Sequence, residues 1–135
     1  MTKAIPTIQK FMTCNPITID SDVLISEAQN VMKGKKVRHL PVMENGAIYG
    51  ILSDRDIQHA LGLLNADPQT IHVKDVCQTH VYVASPENPV DQVADEMAEH
   101  QYGCAVIVQN NKLVGIFTTV DVCLALSKII HERFH

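Results

Sequence analysis

The feature that most constrains the fold is an internal repeat with an offset of 65 residues. When residues 73–129 are laid on residues 8–64, only seven of the 57 paired positions are identical. Apolar runs, turns and polar positions nevertheless agree in register along both copies. A unit of about 60 residues buries only a marginal core by itself. The repeat therefore predicts two related units that stabilise each other.

Both copies carry the pattern of a β–α–β–β–α unit. Each begins with a short leading segment (residues 8–12 and 73–77) and an extended stretch (16–19 and 81–84). Apolar residues with helical spacing follow, and then two apolar strands (40–43 and 48–52; 105–108 and 113–117). The turns between these strands are Asn45-Gly46 and Asn110-Asn111, residue pairs that tolerate positive φ in a tight hairpin. A second helical stripe closes each copy, formed by Ile57, Ala60, Leu61 and Leu64 in the first and by Val122, Ala125, Leu126 and Ile129 in the second.

These patterns predict an α/β fold of two β–α–β–β–α repeats packed about a pseudo-twofold axis, with two related clefts. The first repeat spans 7–62 and the second 72–131. Residues 63–71 form the linker, which the Asp67-Pro68 pair interrupts.

Composition excludes several classes of protein. Hydrophobic residues make up 46% of the chain, which is too many for a disordered chain. No stretch approaches the apolar length of a membrane span, and the first residues lack the apolar core of a signal peptide. A net charge of −4 and six aromatic side chains argue against a nucleic-acid surface. We expect a cytoplasmic protein that binds neither nucleic acid nor membrane.

The sharpest motif is Gly-x-x-Ser/Thr-x-x-Asp, where a strand meets a helix in both copies. Ser53 and Thr118 are placed as N-caps, and Asp56 and Asp121 follow at the back-bonding position of a capping box. A structural role as a helix start explains the motif fully. A helix N-terminus is also an anion site, and a carboxylate one turn in can accept both hydroxyls of a ribose. The repetition in register favours this second interpretation.

Three stretches of the first copy, with a weaker version in the second, carry a resemblance to a known family. These are Lys-Phe-Met-Thr-Cys-Asn-Pro-Ile-Thr-Ile (10–19), Val-Arg-His-Leu-Pro-Val-Met (37–43) and Gly-Ile-Leu-Ser-Asp-Arg-Asp-Ile (50–57). From about residue 8 to residue 130 the chain resembles a tandem pair of CBS domains, the module named after cystathionine β-synthase.

The resemblance implies a non-catalytic regulatory module that binds AMP, ADP or ATP, or else S-adenosylmethionine or NAD, and requires no cofactor. In that family each cleft borrows from both repeats. One cleft would use Asp121, Thr118 and Thr119 with Thr18, Val37 and Arg38. The other would use Asp56, Ser53 and Arg55 with Val83, Tyr102 and Gly103.

The roles implied are chemically plausible but unequal between the copies. Arg38, His39 and Arg55 can neutralise phosphate, with arginine suited to a bidentate grip. The second copy has Val120 in place of Arg55, and its Tyr102 could either block the cleft or stack on a base. The sequence therefore predicts one competent nucleotide cleft and one that is weaker or empty.

Such a module would sense adenine nucleotides, form a homodimer through its apolar helical stripes and act on a separate regulated protein. Two other classes stay open. One is a scaffolding domain without a physiological ligand, in which the repeated motif only caps helices. The other is a small enzyme or redox protein that uses one of the four cysteines. No catalytic constellation is found, and no metal site is predicted, since His131 and His135 lack a third ligand.

Overall fold

The structure is a computed structural model that describes residues 4–134. The chain divides into two compact units. The central unit is Ile17–Val81, and the terminal unit combines the described residues up to Pro16 with those from Tyr82 onward. Each unit is described by itself.

Helices and strands alternate in the order that the repeat predicts. The helices are α1 (Ile8–Phe11), α2 (Ile25–Lys35), α3 (Asp54–Gly62), α4 (Val90–His100) and α5 (Thr119–Phe134), with a 3₁₀-helix at Val73–Asp75. The strands are β1 (Thr13–Cys14), β2 (Ile19–Asp20), β3 (His39–Glu44), β4 (Ala47–Ser53), β5 (Val83–Ala84), β6 (Cys104–Gln109) and β7 (Lys112–Thr118). The β–α–β–β–α order is confirmed in both copies. The first closing helix ends at Gly62, so Leu64, which the apolar stripe includes, lies beyond it.

The central unit contains a three-stranded sheet of order β2-β3-β4. β2 runs parallel to β3, and β3 is antiparallel to β4. Its core consists of apolar side chains that strands, helices and the 3₁₀-helix contribute together. Its fully buried members are Ile25, Ala28, Leu40, Val42, Leu52, Ile57 and Val73.

The terminal unit contains a four-stranded sheet of order β1-β7-β6-β5. β5 is parallel to β6, and both β6 and β1 are antiparallel to β7. Its core includes Ile8 from α1 besides residues of the second repeat, and Phe117 is the largest of its fully buried side chains. Within residues 4–134, no helix is long and apolar enough to cross a bilayer.

Both hairpin turns form where the sequence predicts them. Asn45 and Gly46 have φ values of 52° and 79°, and Asn110 and Asn111 have values of 54° and 63°. Positive φ at both central positions is the signature of the turn that matches the twist of two antiparallel strands. The weaker Asn-Asn pair therefore makes the same kind of turn as Asn-Gly.

Each compact unit takes its leading segment, which in the structure extends over residues 8–15 and 73–80, from the other sequence repeat. β1, which belongs to the first repeat, pairs with β7 of the second, with Cys14 opposite Gly115. In the same way Gln78 of the second repeat forms a bridge with Ile51 on β4. The bounds 7–62 and 72–131 remain predictions about sequence repeats, whereas the compact units combine segments of both.

Candidate functional site

The predicted capping box of the central unit forms at the start of α3. The backbone N–H of Asp56 donates to the Ser53 hydroxyl at 3.0 Å, and the Ser53 N–H donates to Oδ2 of Asp56 at 3.2 Å. The second carboxylate oxygen, Oδ1, accepts a hydrogen bond from the Gln78 amide at 3.2 Å. Asp56 and Ser53 are partly exposed, so this junction can be reached by a ligand.

The terminal unit repeats the junction at the start of α5 with a more enclosed carboxylate. The N–H of Thr118 donates to Oδ2 of Asp121 at 2.9 Å, and the Asp121 N–H donates to the Thr118 hydroxyl at 3.4 Å. The Thr13 hydroxyl donates to Oδ1 at 3.1 Å. Asp121 is 8% exposed, which makes it one of the two buried polar residues among those described.

In each unit the start of one strand is joined to the start of the closing helix. The Asp54 N–H donates to the Arg38 carbonyl at 2.9 Å, and the Thr119 N–H donates to the Gly103 carbonyl at 3.2 Å. Within each unit a strand start and a Ser/Thr-x-x-Asp motif therefore lie side by side. The resemblance, by contrast, assigns each motif the strand start of the other repeat. The structure repeats this arrangement with the offset of 65 residues.

The two junctions differ in charge. Arg38 and Arg55 lie in the central unit, and both are exposed. The positions that correspond to them in the terminal unit are Gly103 and Val120, which carry no charge. Of these four positions, the two in the central unit carry the cations, and Asp54 and Asp56 offset part of their charge. The resemblance assigns Arg38 to the cleft of Asp121 and Arg55 to the cleft of Asp56.

The surroundings of His39 disfavour its charged form. Its ring lies opposite Ser53 across β3 and β4, half-buried. Burial lowers the pKa of His39 below its ordinary value of 6.5, and the charge of Asp56 opposes this effect while that of Arg38 adds to it. Of the three residues expected to neutralise phosphate, His39 is therefore the one whose burial disfavours the charged form.

Tyr102 is held in a stack of rings in the terminal unit. Its ring centroid lies 5.1 Å from that of Tyr82 and 5.1 Å from that of His100, with interplanar angles of 25° and 23°. Val83, the residue after Tyr82 and the first residue of β5, is 52% exposed. A base that stacked on Tyr102 would therefore join or displace an existing aromatic stack.

The thirteen predicted site residues divide between the units. The central unit holds Thr18, Val37, Arg38, His39, Ser53, Arg55 and Asp56, and the terminal unit holds Val83, Tyr102, Gly103, Thr118, Thr119 and Asp121. Thr18 is exposed, whereas Val37 is partly buried and its N–H donates to the Met32 carbonyl at 3.1 Å. Within each unit the motif residues and the strand start are adjacent, as described above.

Two residues that the sequence analysis did not single out contact the motif carboxylates. These residues, Thr13 and Gln78, occupy the same position in the two leading segments. Their separation of 65 residues matches that of Asp56 and Asp121. The offset of the repeat was the signal that could have paired them, although their different residue types concealed it.

The terminal unit also has polar features away from its junction. A cavity of about 360 Å³ is lined by Tyr82, Asn88, Gln92, Val93, Asp95 and Glu96. The helix α4 lines part of this cavity. On α4, possible metal-ligand atoms of Glu96, Glu99 and His100 lie within 4.8 Å of one another, and all three residues are exposed. Their spacing of three and four residues places them on one helical face, but the first repeat has Val31, Gly34 and Lys35 there.

The cysteines offer little support for a thiol enzyme. Burial raises the pKa of Cys104 to about 12. Burial and the nearby charge of Asp56 also raise the pKa of Cys77. Because the thiolate is the nucleophile, neither of these residues is activated at neutral pH. Cys14 and Cys123 are exposed and free.

The duplicated junction on a duplicated β–α–β–β–α frame defines a module of two tandem repeats, and the comparisons with known proteins agree. The family model described as "CBS domain" matches the chain twice, at residues 8–63 and 73–128. The chain belongs to the CBS domain family.

The relatives include both small and large proteins. The CBS domain-containing protein YhcV of Bacillus subtilis is 31% identical over 138 residues, a match that covers 95% of this chain and 98% of that protein. Other curated relatives are much longer, and this chain spans only 22–30% of three of them, two of which have enzyme names. CBS pairs thus occur both nearly alone and as part of larger proteins.

Two solved structures show the same fold. The CBS domain pair of protein MJ0100, in complex with 5′-methylthioadenosine and S-adenosyl-L-methionine, is 25% identical, with a TM-score of 0.84 and coverage of 93% of this chain and 98% of that one. A hexameric CBS-CP12 protein from bloom-forming cyanobacteria is 29% identical, with a TM-score of 0.82 and coverage of 90% and 68%.

Proposed function

We propose that this chain is a non-catalytic regulatory module that binds an adenosine-containing ligand at its Ser/Thr-x-x-Asp junctions. Ligand binding would shift the population of alternative packings of the module or of its assembly, because the ligand binds one state more tightly than the other. The readout would pass to a separate regulated protein. The complex of the MJ0100 domain pair with two adenosine compounds supports the ligand class.

One observation carries the proposal. In each unit a carboxylate that caps a helix lies beside the backbone of a strand start, and hydrogen bonds join the two segments. A carboxylate can accept from ribose hydroxyls, helix amides suit a phosphate, and strand backbone can recognise the edge of a purine. An adenosine phosphate requires these three groups close together.

The charges favour a phosphorylated ligand for the junction of the central unit. Arg55 is exposed on the first turn of α3, between the helix cap Ser53 and Asp56. Charge-assisted contacts from arginine to phosphate are roughly twice as strong as neutral hydrogen bonds. We therefore propose a phosphorylated adenosine ligand, which is AMP, ADP, ATP or NAD, rather than S-adenosylmethionine.

Calorimetric titration of the full chain tests this proposal. AMP and ATP should bind with micromolar affinity, and Arg55→Gln should weaken both by roughly tenfold, the value of one hydrogen bond to a charged group. Arg133→Gln, on the last turn of α5, is the matched control and should leave affinity unchanged. Absence of binding below about millimolar AMP, ATP and S-adenosylmethionine, all tested separately, would reject the ligand proposal.

A scaffolding role is the second candidate, and the burial of Asp121 favours it. Both carboxylate oxygens already accept hydrogen bonds from the protein, and the residue is 8% exposed. At this junction the motif has a complete structural explanation without a ligand. A chain that is stabilised by Asp121 but binds none of the compounds above would fit this candidate.

The regulatory proposal includes a homodimer. The long helix α5 exposes large apolar side chains. A contiguous exposed apolar patch is typical of a surface that binds another protein. The exposed apolar side chains of α5 are Val120, Leu124, Leu126, Ile130 and Phe134, each between 42% and 73% exposed. A second copy of the same chain is the partner that we propose for this apolar face of α5.

A further inference from the structure

The two leading segments each place one hydrogen-bond donor on a motif carboxylate. The Thr13 hydroxyl donates to Oδ1 of Asp121 at 3.1 Å and also lies 3.3 Å from Oδ2. The Gln78 amide donates to Oδ1 of Asp56 at 3.2 Å. In both units Oδ2 accepts the N–H of the helix cap. The leading segment thus donates a hydrogen bond to Oδ1, the carboxylate oxygen that the capping box does not use.

Backbone geometry, rather than the side chains alone, fixes this arrangement. Gln78 exchanges hydrogen bonds with Ile51, N–H to carbonyl in both directions, at 2.9 Å each. In the terminal unit Thr13 lies opposite Ile116, the corresponding residue of β7. The neighbouring glycines, Gly50 and Gly115, have no side chain that would keep the leading segment away. Two different donors therefore reach the same carboxylate oxygen by the same route.

A ribose would need the same oxygen. Its hydroxyls are donors, and the carboxylate is the group of the junction best suited to accept them. On the proposed function, ligand binding and the leading segment therefore compete for Oδ1. We propose that Thr13 and Gln78 are specificity-determining residues, each of which holds its carboxylate until a vicinal diol displaces it.

The competition is unequal at the two junctions. Asp121 is buried, and Thr13 has a short side chain anchored next to the β1–β7 pairing. Asp56 is partly exposed, and its donor is a glutamine, which has a longer and more flexible side chain than threonine. Both donors are exposed. Thr13 should therefore oppose a ligand more strongly than Gln78 does. This difference provides a physical reason for one open and one closed junction.

The test measures AMP affinity by calorimetry with one junction at a time disabled. In an Asp56→Asn background, Asp121 is the remaining motif carboxylate, and Thr13→Val should raise the affinity for AMP by roughly tenfold, because one competing bond to a charged group is lost. Thr13→Ser, which keeps the hydroxyl, should match the background. In an Asp121→Asn background, Gln78→Leu should raise affinity by a smaller factor.

Two further measurements connect the effect to the diol. The gain from Thr13→Val should be much smaller for 2′-deoxy-AMP, which has only one of the two hydroxyls. Without ligand, Thr13→Val should lower the urea midpoint of unfolding relative to its background. In saturating AMP the midpoints of the two proteins should differ much less. Thr70→Val, which removes an exposed hydroxyl that donates to the Asp67 carbonyl, controls for the substitution itself.

The outcomes separate this inference from the proposed function. Suppose that the Asp56→Asn and Asp121→Asn proteins bind AMP, and that adding Thr13→Val leaves the affinity unchanged or weakens it. The proposed competition between Thr13 and the ribose is then wrong, although the ligand proposal stands. If neither the wild type nor any variant binds AMP, ATP or S-adenosylmethionine, the proposed function fails and the competition fails with it. A gain that is equal for AMP and 2′-deoxy-AMP would overturn the role of the diol.

Discussion

A methyl group on the α-carbon of Gly50 would overlap the backbone carbonyl of Gln78. Glycine is therefore required on β4 because the leading segment passes directly over it. We expect Gly50→Ala to destabilise the protein by about 1–3 kcal/mol, since the segment must shift. Urea denaturation measures the effect.

The control for this prediction is Gly34→Ala, within α2. A Cβ at that position meets no atom within 4 Å. Replacing glycine by alanine inside a helix should stabilise the protein by about 0.5–1 kcal/mol. Loss of stability in both variants, or in neither, would contradict the close approach.

The two capping carboxylates should differ in their contribution to stability. Asp121→Ala should cost about 0.5–2 kcal/mol of unfolding free energy, because the Thr118 N–H and the Thr13 hydroxyl lose their acceptor. Asp56→Ala should cost less, since Asp56 is more exposed and water can replace it. Chemical denaturation of both variants checks the order, and the reverse order would show that burial does not govern these caps.

His39 should make stability depend on pH. Because its pKa is lower in the folded protein, unfolding takes up a proton below the ordinary value of 6.5. The stabilisation of the folded state that comes from keeping His39 neutral is fully present above pH 6.5, and it is lost as the pH falls through the lowered pKa. We expect His39→Gln to flatten the decline of the melting temperature between neutral pH and about pH 5.

The control for this pH dependence is His59→Gln on α3, where the side chain is exposed. That variant should retain the slope of the wild type. If His39→Gln declines with pH as steeply as wild type, His39 does not govern the titration.

The apolar face of α5 should control assembly. Light scattering of the wild type should report a dimer, and Leu124→Lys should shift the population towards monomer, because a buried charge opposes association. Gln58→Lys, at an exposed position of α3, adds the same charge away from the apolar face of α5. A wild-type monomer at high concentration, with and without AMP, would exclude the proposed dimer.

Thiol labelling should divide the cysteines. Cys14 and Cys123 are exposed and should react quickly with Ellman's reagent in the folded protein. Cys104 is buried, and its pKa is raised to about 12, so it should react only after unfolding. Labelling of one native cysteine faster than a free thiol would revive the hypothesis of a cysteine enzyme.

Most of the fold could be predicted because its determinants are local. The Asn-Gly and Asn-Asn turns require only positive φ at two neighbouring positions, and the capping box requires Ser53 and Asp56 three residues apart. Apolar spacing then identifies the strands and helices between these signals. Such features can be recognised within a few residues of sequence.

The pairing of the leading segments could not be predicted in the same way. Nothing near Thr13 indicates that its partner is Asp121, which lies 108 positions further along the chain. The role of Gly50 is also hidden, because a glycine at the middle of a strand does not reveal what passes over it. Long-range contacts of this kind depend on the tertiary fold, and the state of His39 depends on burial that no local pattern reports.

The exchange of leading segments has a consequence for synthesis on the ribosome. All residues of the central unit, Ile17–Val81, emerge consecutively, so that unit can fold while translation continues. Ile8 and the strand β1 emerge before the central unit, yet β7, the partner of β1, is complete only at Thr118. β1 is therefore without its partner while the whole central unit is made, and for that interval the apolar side chain of Ile8 is available to a chaperone.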